Sequence, residues 1–131
     1  MARKRILLID DYAPFAASLR IALSSDHDVE VLCSGAEALA RLRDPWFDAV
    51  LCDVVMPGIS GIELFQRVRA ASPHLADRFV FLTAGAISEE ATAFLAQTGN
   101  PIVYKPFELQ ALCGTLAELW ADKATSTRGA A

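Results

Sequence analysis

The residues able to do chemistry stand directly after short apolar runs. Asp10 and Asp11 follow Ile6-Leu7-Leu8-Ile9, Asp53 follows a run ending at Cys52, Thr83 follows Phe79 to Leu82, and Lys105 follows Ile102 to Tyr104. Singly, each has a plainer explanation. An aspartate or threonine after a strand is often a helix cap or turn residue, and a lysine before a proline is often a solvated loop charge. Together they describe a reaction. Three carboxylates in a partly dehydrated pocket repel one another unless a cation neutralises them. Oxygen-only ligation points to Mg2+, which keeps several waters and bridges a carboxylate to a phosphate. The ammonium of Lys105 and the hydroxyl of Thr83 suit the oxygens of a transferring phosphoryl group, whose loose transition state is stabilised chiefly by electrostatics. In such surroundings an aspartate is a competent nucleophile that forms an acyl phosphate.

For these five residues to meet, the runs before them must be parallel strands of one sheet with their carboxyl ends together. The chain is patterned that way, because short apolar runs alternate with segments of helical period. Strands are expected at 6–9, 29–33, 47–52, 79–82 and 102–104. A first helix runs to Ser25 with Phe15, Leu19, Ile21 and Leu23 as its apolar residues and Pro14 in its first turn. A second, alanine-rich helix spans 36–42 and is closed by Pro45. Ser60 with Glu63 is a capping box that opens a third helix at 61–71, stopped before Pro73. Ser88 caps a fourth that reaches about Gln97 and ends at Gly99, with Glu89 and Glu90 at the positive end of its dipole. The fifth spans 108–121, with Leu109, Leu112, Leu116 and Leu119 as its stripe. Five strands and five helices in strict alternation give an α/β doubly wound parallel sheet, whose ligand site lies beyond the carboxyl ends of the strands. One domain at 4–121 is expected, followed by a polar, disordered tail at 122–131.

Composition agrees with one ordinary globular domain. The 131 residues are 53% hydrophobic and 21% charged, with a formal net charge of −4. The sequence pI of about 5.1 gives no pull toward a polyanion, so direct nucleic-acid binding is not expected. No apolar run approaches the roughly 18 residues of a membrane span, and the run after the basic start is too short for a secretory signal. Cys33, Cys52 and Cys113 are an odd, widely spaced set with no metal-ligand spacing, and read as buried thiols in a reducing cytoplasm.

The segments Leu7-Leu8-Ile9-Asp10-Asp11, Asp53-Val54-Val55-Met56-Pro57-Gly58, Phe81-Leu82-Thr83-Ala84 and Tyr104-Lys105-Pro106-Phe107 resemble the receiver family of bacterial response regulators. The resemblance covers nearly the whole chain, from about Lys4 to Trp120. It implies a flavodoxin-like sheet of strand order 2-1-3-4-5. It implies that Asp53 is the phosphoacceptor, that Asp11, Asp53 and the backbone carbonyl of Val55 bind Mg2+, and that Asp10 helps mainly through water. Thr83 and Lys105 would contact the phosphoryl group. Pro57 and Gly61 match the turn into the third helix, and Pro106 matches a cis peptide after the lysine.

Two positions depart from the family pattern. Three residues before the lysine the family often has Tyr or Phe, whereas this chain has Ile102. Period-two alternation puts Tyr104 on the same face as Ile102, where it can take part of that role. Val55 is apolar where many relatives have a polar residue.

The resemblance further implies a histidine kinase or histidine phosphotransfer protein as phosphodonor and an unidentified downstream protein as target. Either a stand-alone regulator or a receiver from a longer chain fits. The stretch from Phe81 to Leu109, with Thr83-Ala84-Gly85 and Asn100-Pro101, is similar to receivers at the C-terminal end of hybrid histidine kinases. Two other readings stay open. One is a haloacid-dehalogenase-type phosphatase, which would need a DxD pattern after strand one where this chain has Asp10-Asp11-Tyr12. The other is a receiver-like interaction module that is never phosphorylated.

Overall fold

The computed structural model describes residues 3–43, 46–84 and 88–130, with side chains as far as residue 122. Five strands, β1 (Arg5–Ile9), β2 (Asp28–Leu32), β3 (Ala49–Asp53), β4 (Phe79–Thr83) and β5 (Ile102–Tyr104), form one sheet of order β2-β1-β3-β4-β5. All neighbouring pairs are parallel. The helices are α1 (Ala13–Ser24), α2 (Gly35–Arg41), α3 (Gly61–Ala71), α4 (Pro73–Ala76), α5 (Glu89–Gln97) and α6 (Leu109–Ala130). This is the flavodoxin-like arrangement expected.

The two faces of the sheet are read directly from alternation along the strands. Ile6, Leu8, Ala49, Leu51, Val80 and Leu82 pack with Leu19 and Leu23 of α1 and Leu112 and Leu116 of α6. Leu7, Ile9, Val50, Cys52, Phe79 and Phe81 pack on the other side with Ala38 of α2, Leu64 and Phe65 of α3 and Leu95 of α5. The inner strands are therefore apolar without interruption from Ile6 to Ile9 in β1, from Ala49 to Cys52 in β3 and from Phe79 to Leu82 in β4.

Several expectations are corrected. Among the described residues there are six helices rather than the five expected, because Pro73, which cannot extend α3, seeds a separate turn whose Leu75 and Ala76 are buried. The backbone of α6 is helical to Ala130, past the end expected for the last helix at 121. No proline or glycine precedes Gly129 there to stop it. Ile21 is 77% exposed, since a step of two residues from Leu19 turns it away from the face held by Ala16, Leu19 and Leu23. Leu109 is likewise 40% exposed, at the first turn of α6. Of the three cysteines only Cys52 is buried; Cys33 follows an edge strand and Cys113 lies on an open flank of α6. Helix α5 ends as Thr98 turns extended and its hydroxyl meets Asn100, without a left-handed glycine at position 99. The expected stop at Pro45 lies outside the described residues.

Candidate functional site

Each strand delivers one polar group to the same edge. Asp10 leaves β1 fully buried, and its Oδ1 accepts the Tyr12 N–H at 2.9 Å in an Asx turn that directs the chain toward α1. Asp11, beside it, is exposed. Asp53 ends β3 at 9% exposure, and Thr83 ends β4 at 1%. Lys105 follows β5 with its side chain 17% exposed. One carboxylate oxygen from each of Asp10, Asp11 and Asp53 lies within 4.8 Å of the others. Lys105 Nζ donates to Asp10 Oδ2 at 2.7 Å and stands 3.7 Å from Asp53 Oδ2. Asp10, Asp11, Asp53 and Lys105 thus converge, and Thr83 ends β4 at the same carboxyl edge of the sheet.

Local sequence explains how Asp53 is presented. The chain turns after β3 through Gly58, whose φ of 76° is open to glycine at little cost. It re-enters as α3 when Ser60 accepts the Glu63 N–H at 3.1 Å, the predicted cap. Gly61 donates to the Val54 carbonyl at 3.0 Å, and a Cβ at Gly61 would collide with the Asp53 carbonyl oxygen. Only glycine lets the helix start this close to the acidic site. On the other flank, Ser88 accepts the Ala91 N–H at 3.1 Å and opens α5 as expected. The Lys105–Pro106 peptide is cis.

Electrostatics mark Asp53 as unusual. Burial pushes its carboxyl up to about 6; Lys105 opposes this, Asp10 adds to it, the Val55 N–H at 3.4 Å opposes it weakly, and Asp11 adds to it. At neutral pH Asp53 is still mostly ionised, so it can act as a nucleophile. Its neighbour Cys52 cannot compete, because burial raises its thiol pKa far above neutrality. Thr83 Oγ1 is buried without a hydrogen-bond partner among the described residues, which is rare for a hydroxyl. An acidic trio able to hold a hard cation beside an orphaned donor and an ammonium has the donor set that Mg2+ and a phosphoryl group require.

The site also has an aromatic side that the sequence does not announce. Phe15 was read as core and Phe107 as part of a motif, but the Phe15 ring faces Lys105 Nζ, 4.2 Å from its centroid. Nothing in local spacing links a residue of α1 to Lys105. The backbone carbonyl of Val55 is an expected ligand, and the residue is 58% exposed.

Comparison with known proteins agrees with this geometry. The response regulator receiver domain model matches residues 6–117. The chain is 37% identical over 129 residues to the virulence sensor protein BvgS of Bordetella pertussis, covering 94% of this chain and 10% of that protein. It is 34% identical to the DNA-binding response regulator MtrA of Mycobacterium tuberculosis, covering 81% of this chain and 46% of MtrA. The chain therefore spans less than half the length of these curated relatives. A CheY-like receiver domain protein from Methanospirillum hungatei superposes with a TM-score of 0.85 at 24% identity, over 95% of this chain and 99% of that one. The response regulator TrrA from Thermotoga maritima, solved in complex with Mg2+ and BeF, gives 0.75 at 28% identity, over 88% and 98%. This chain belongs to the response regulator receiver domain family of two-component systems.

Proposed function

We propose that the protein takes a phosphoryl group on Asp53 from a phosphohistidine donor in a Mg2+-dependent reaction. An ionised Asp53 oxygen attacks phosphorus as the phosphorus–nitrogen bond breaks, and the released imidazole takes a proton from water. Lys105 and Thr83 then hold the phosphoryl oxygens, the lysine by charge and the threonine by the hydroxyl that lacks another partner. Asp11, Asp53 and the carbonyl of Val55 are the ligands assigned to Mg2+, with Asp10 acting through water. Bound there, Mg2+ neutralises the crowded carboxylates and the transferring oxygens. TrrA, crystallised with Mg2+ and BeF, supports this choice of ion by likeness.

The observation that carries the reading is the meeting of three carboxylates within 4.8 Å beside Lys105 and the unpartnered Thr83 hydroxyl. The donor is a histidine kinase or a histidine phosphotransfer protein. The target is a protein that reads the changed face, and the setting is the cytoplasm. Among the described residues no helix is long and apolar enough to cross a membrane. The extended match to a virulence sensor protein favours a second possibility for context, that this receiver serves within a larger sensor protein. In either context this receiver domain turns over only its own phosphoryl group.

The test is intact mass after incubation with acetyl phosphate and Mg2+, with Asp53→Asn and a magnesium-free sample alongside. A labile gain of one phosphoryl group, absent from both controls, is expected. The same gain in Asp53→Asn, or none from acetyl phosphate and from phosphorylated phosphotransfer proteins alike, overturns the reading.

A further inference from the structure

The pocket around Lys105 has an aromatic wall as well as charged neighbours. Lys105 Nζ lies 4.2 Å from the centroid of the Phe15 ring. Phe107 meets that ring edge to face, with centroids 6.0 Å apart and planes at 90°. Phe15 sits in the first turn of α1 and Phe107 in the loop after β5, and both pack against the buried cluster that contains Leu19, Val103 and Leu112. The ammonium is largely withdrawn from water, where attraction to a ring face counts for most.

We propose that Phe15, braced by Phe107, is a positioning residue that holds the Lys105 ammonium at the gap between Asp10 and Asp53. The inference rests on the reading of Lys105 as the cation that meets the phosphoryl group. A lysine has a flexible four-carbon stem and three donors that rotate freely. One donor reaches Asp10 Oδ2 at 2.7 Å, while Asp53 Oδ2 at 3.7 Å is beyond a direct hydrogen bond. These carboxylates alone leave the ammonium free to swing on the arc about Asp10. The ring face occupies another side and restricts that arc.

The chemistry of the wall matters as much as its place. A fourth carboxylate would also hold the lysine, but it would cancel the charge that the phosphoryl oxygens need and would repel them. An aromatic face attracts the cation through its quadrupole and adds no net charge. Lys105 is thereby fixed yet stays electrostatically available. A leucine at position 15 would supply apolar contact without the quadrupole, so packing and positioning can be separated.

The experiment compares Phe15→Leu and Phe15→Tyr with wild type, each also in a Lys105→Met background. The first readout is the NMR shift of the Lys105 ε-methylene protons, identified by their loss in Lys105→Met; the other lysines are Lys4 and Lys123. A ring-current displacement is expected in wild type and Phe15→Tyr and is lost in Phe15→Leu. The second readout is the initial rate of phosphoryl uptake from acetyl phosphate with Mg2+. Phe15→Leu should be slower by about threefold to thirtyfold, Phe15→Tyr close to wild type, and the Leu substitution without further cost once Lys105 is Met. An unchanged Lys105 shift in Phe15→Leu, or the same fold loss with and without Lys105, overturns the proposal. Uptake in Lys105→Met as fast as in wild type overturns instead the role given to Lys105. That outcome is told apart because the ring-current displacement persists with no effect on rate.

Discussion

Lys105 and Asp10, 95 residues apart in sequence, meet at 2.7 Å in the interior of the site. The ammonium thus makes its short bond to the carboxylate that is wholly buried, and Asp53 receives only a longer contact at 3.7 Å. Asp53 is left with a carboxyl displaced upward, first by burial and then by Asp10 and Asp11, against partial relief from Lys105. The folded site thus holds an unfavourable charge, as functional sites commonly do.

The first prediction concerns that charge. The Asp53 carboxyl lies at about 6 in the folded protein against an ordinary 3.8, so the unfolded chain releases this proton at lower pH. Its contribution is neutral below about pH 4, becomes increasingly destabilising up to about pH 6, and is constant above. In metal-free buffer Asp53→Asn should therefore be more stable than wild type at pH 7.5 by up to roughly 3 kcal/mol, and the difference should vanish near pH 3.5. Urea unfolding across pH checks this. Added Mg2+ should narrow the gap by stabilising wild type more than the variant, through binding linkage.

Much of this site was legible because strand ends announce themselves. Ile6 to Ile9, Ala49 to Cys52, and Phe79 to Leu82 are apolar at every position, and inner parallel strands must be. The first polar residue after each is then placed at the carboxyl edge, which located Asp10, Asp53 and Thr83 without any contact being known. Ile21 was misplaced because an apolar type was weighed above its angular position on the helix. The turn at Pro73–Ala76 was missed because a proline that ends one helix equally starts another. The ring of Phe15 over Lys105 was beyond reach, since it joins α1 to the loop after β5 and leaves no local periodicity.

The orphaned hydroxyl of Thr83 gives a prediction with two signs. An unpartnered buried hydroxyl costs stability that an isosteric methyl group does not. Thr83→Val should be equal to or about 1 kcal/mol more stable than wild type without ligand. The same substitution removes a donor to a charged phosphoryl group, so affinity for beryllofluoride with Mg2+ should fall about tenfold or more. Thermal melts and titration of the phosphoryl analogue measure the two effects. Loss of stability together with unaltered analogue affinity would show that the hydroxyl serves the fold.

Tyr104 is placed to report the state of the site. It pairs in register with Thr83, as Ile102 does with Phe81, and it is 60% exposed while Ile102 packs against the core. On the proposed function, Thr83 would move toward a phosphoryl group and open space beside the strand for the Tyr104 ring. Phosphorylation or beryllofluoride should therefore shield Tyr104 from solvent. The chain has two tyrosines, so a Tyr12→Phe background leaves one signal for fluorotyrosine NMR or quenching. An unaltered Tyr104 environment would sink the idea that it replaces the aromatic residue absent at Ile102.

Val55 bears on how long the signal lasts. Its N–H points to Asp53 Oδ1 at 3.4 Å, so the residue, exposed as a whole, stands at the rim of the site. Hydrolysis of an acyl phosphate needs a water in line with the bond from Asp53 to phosphorus. A valine offers that water no hydrogen bond and covers part of its approach, whereas an asparagine supplies a donor and an acceptor to orient it. One such bond is worth about 1 kcal/mol, which corresponds to roughly a fivefold change in rate. Wild type should thus lose its phosphoryl group several times more slowly than Val55→Asn, followed by intact mass after removal of the phosphodonor. Equal lifetimes would place control of hydrolysis elsewhere.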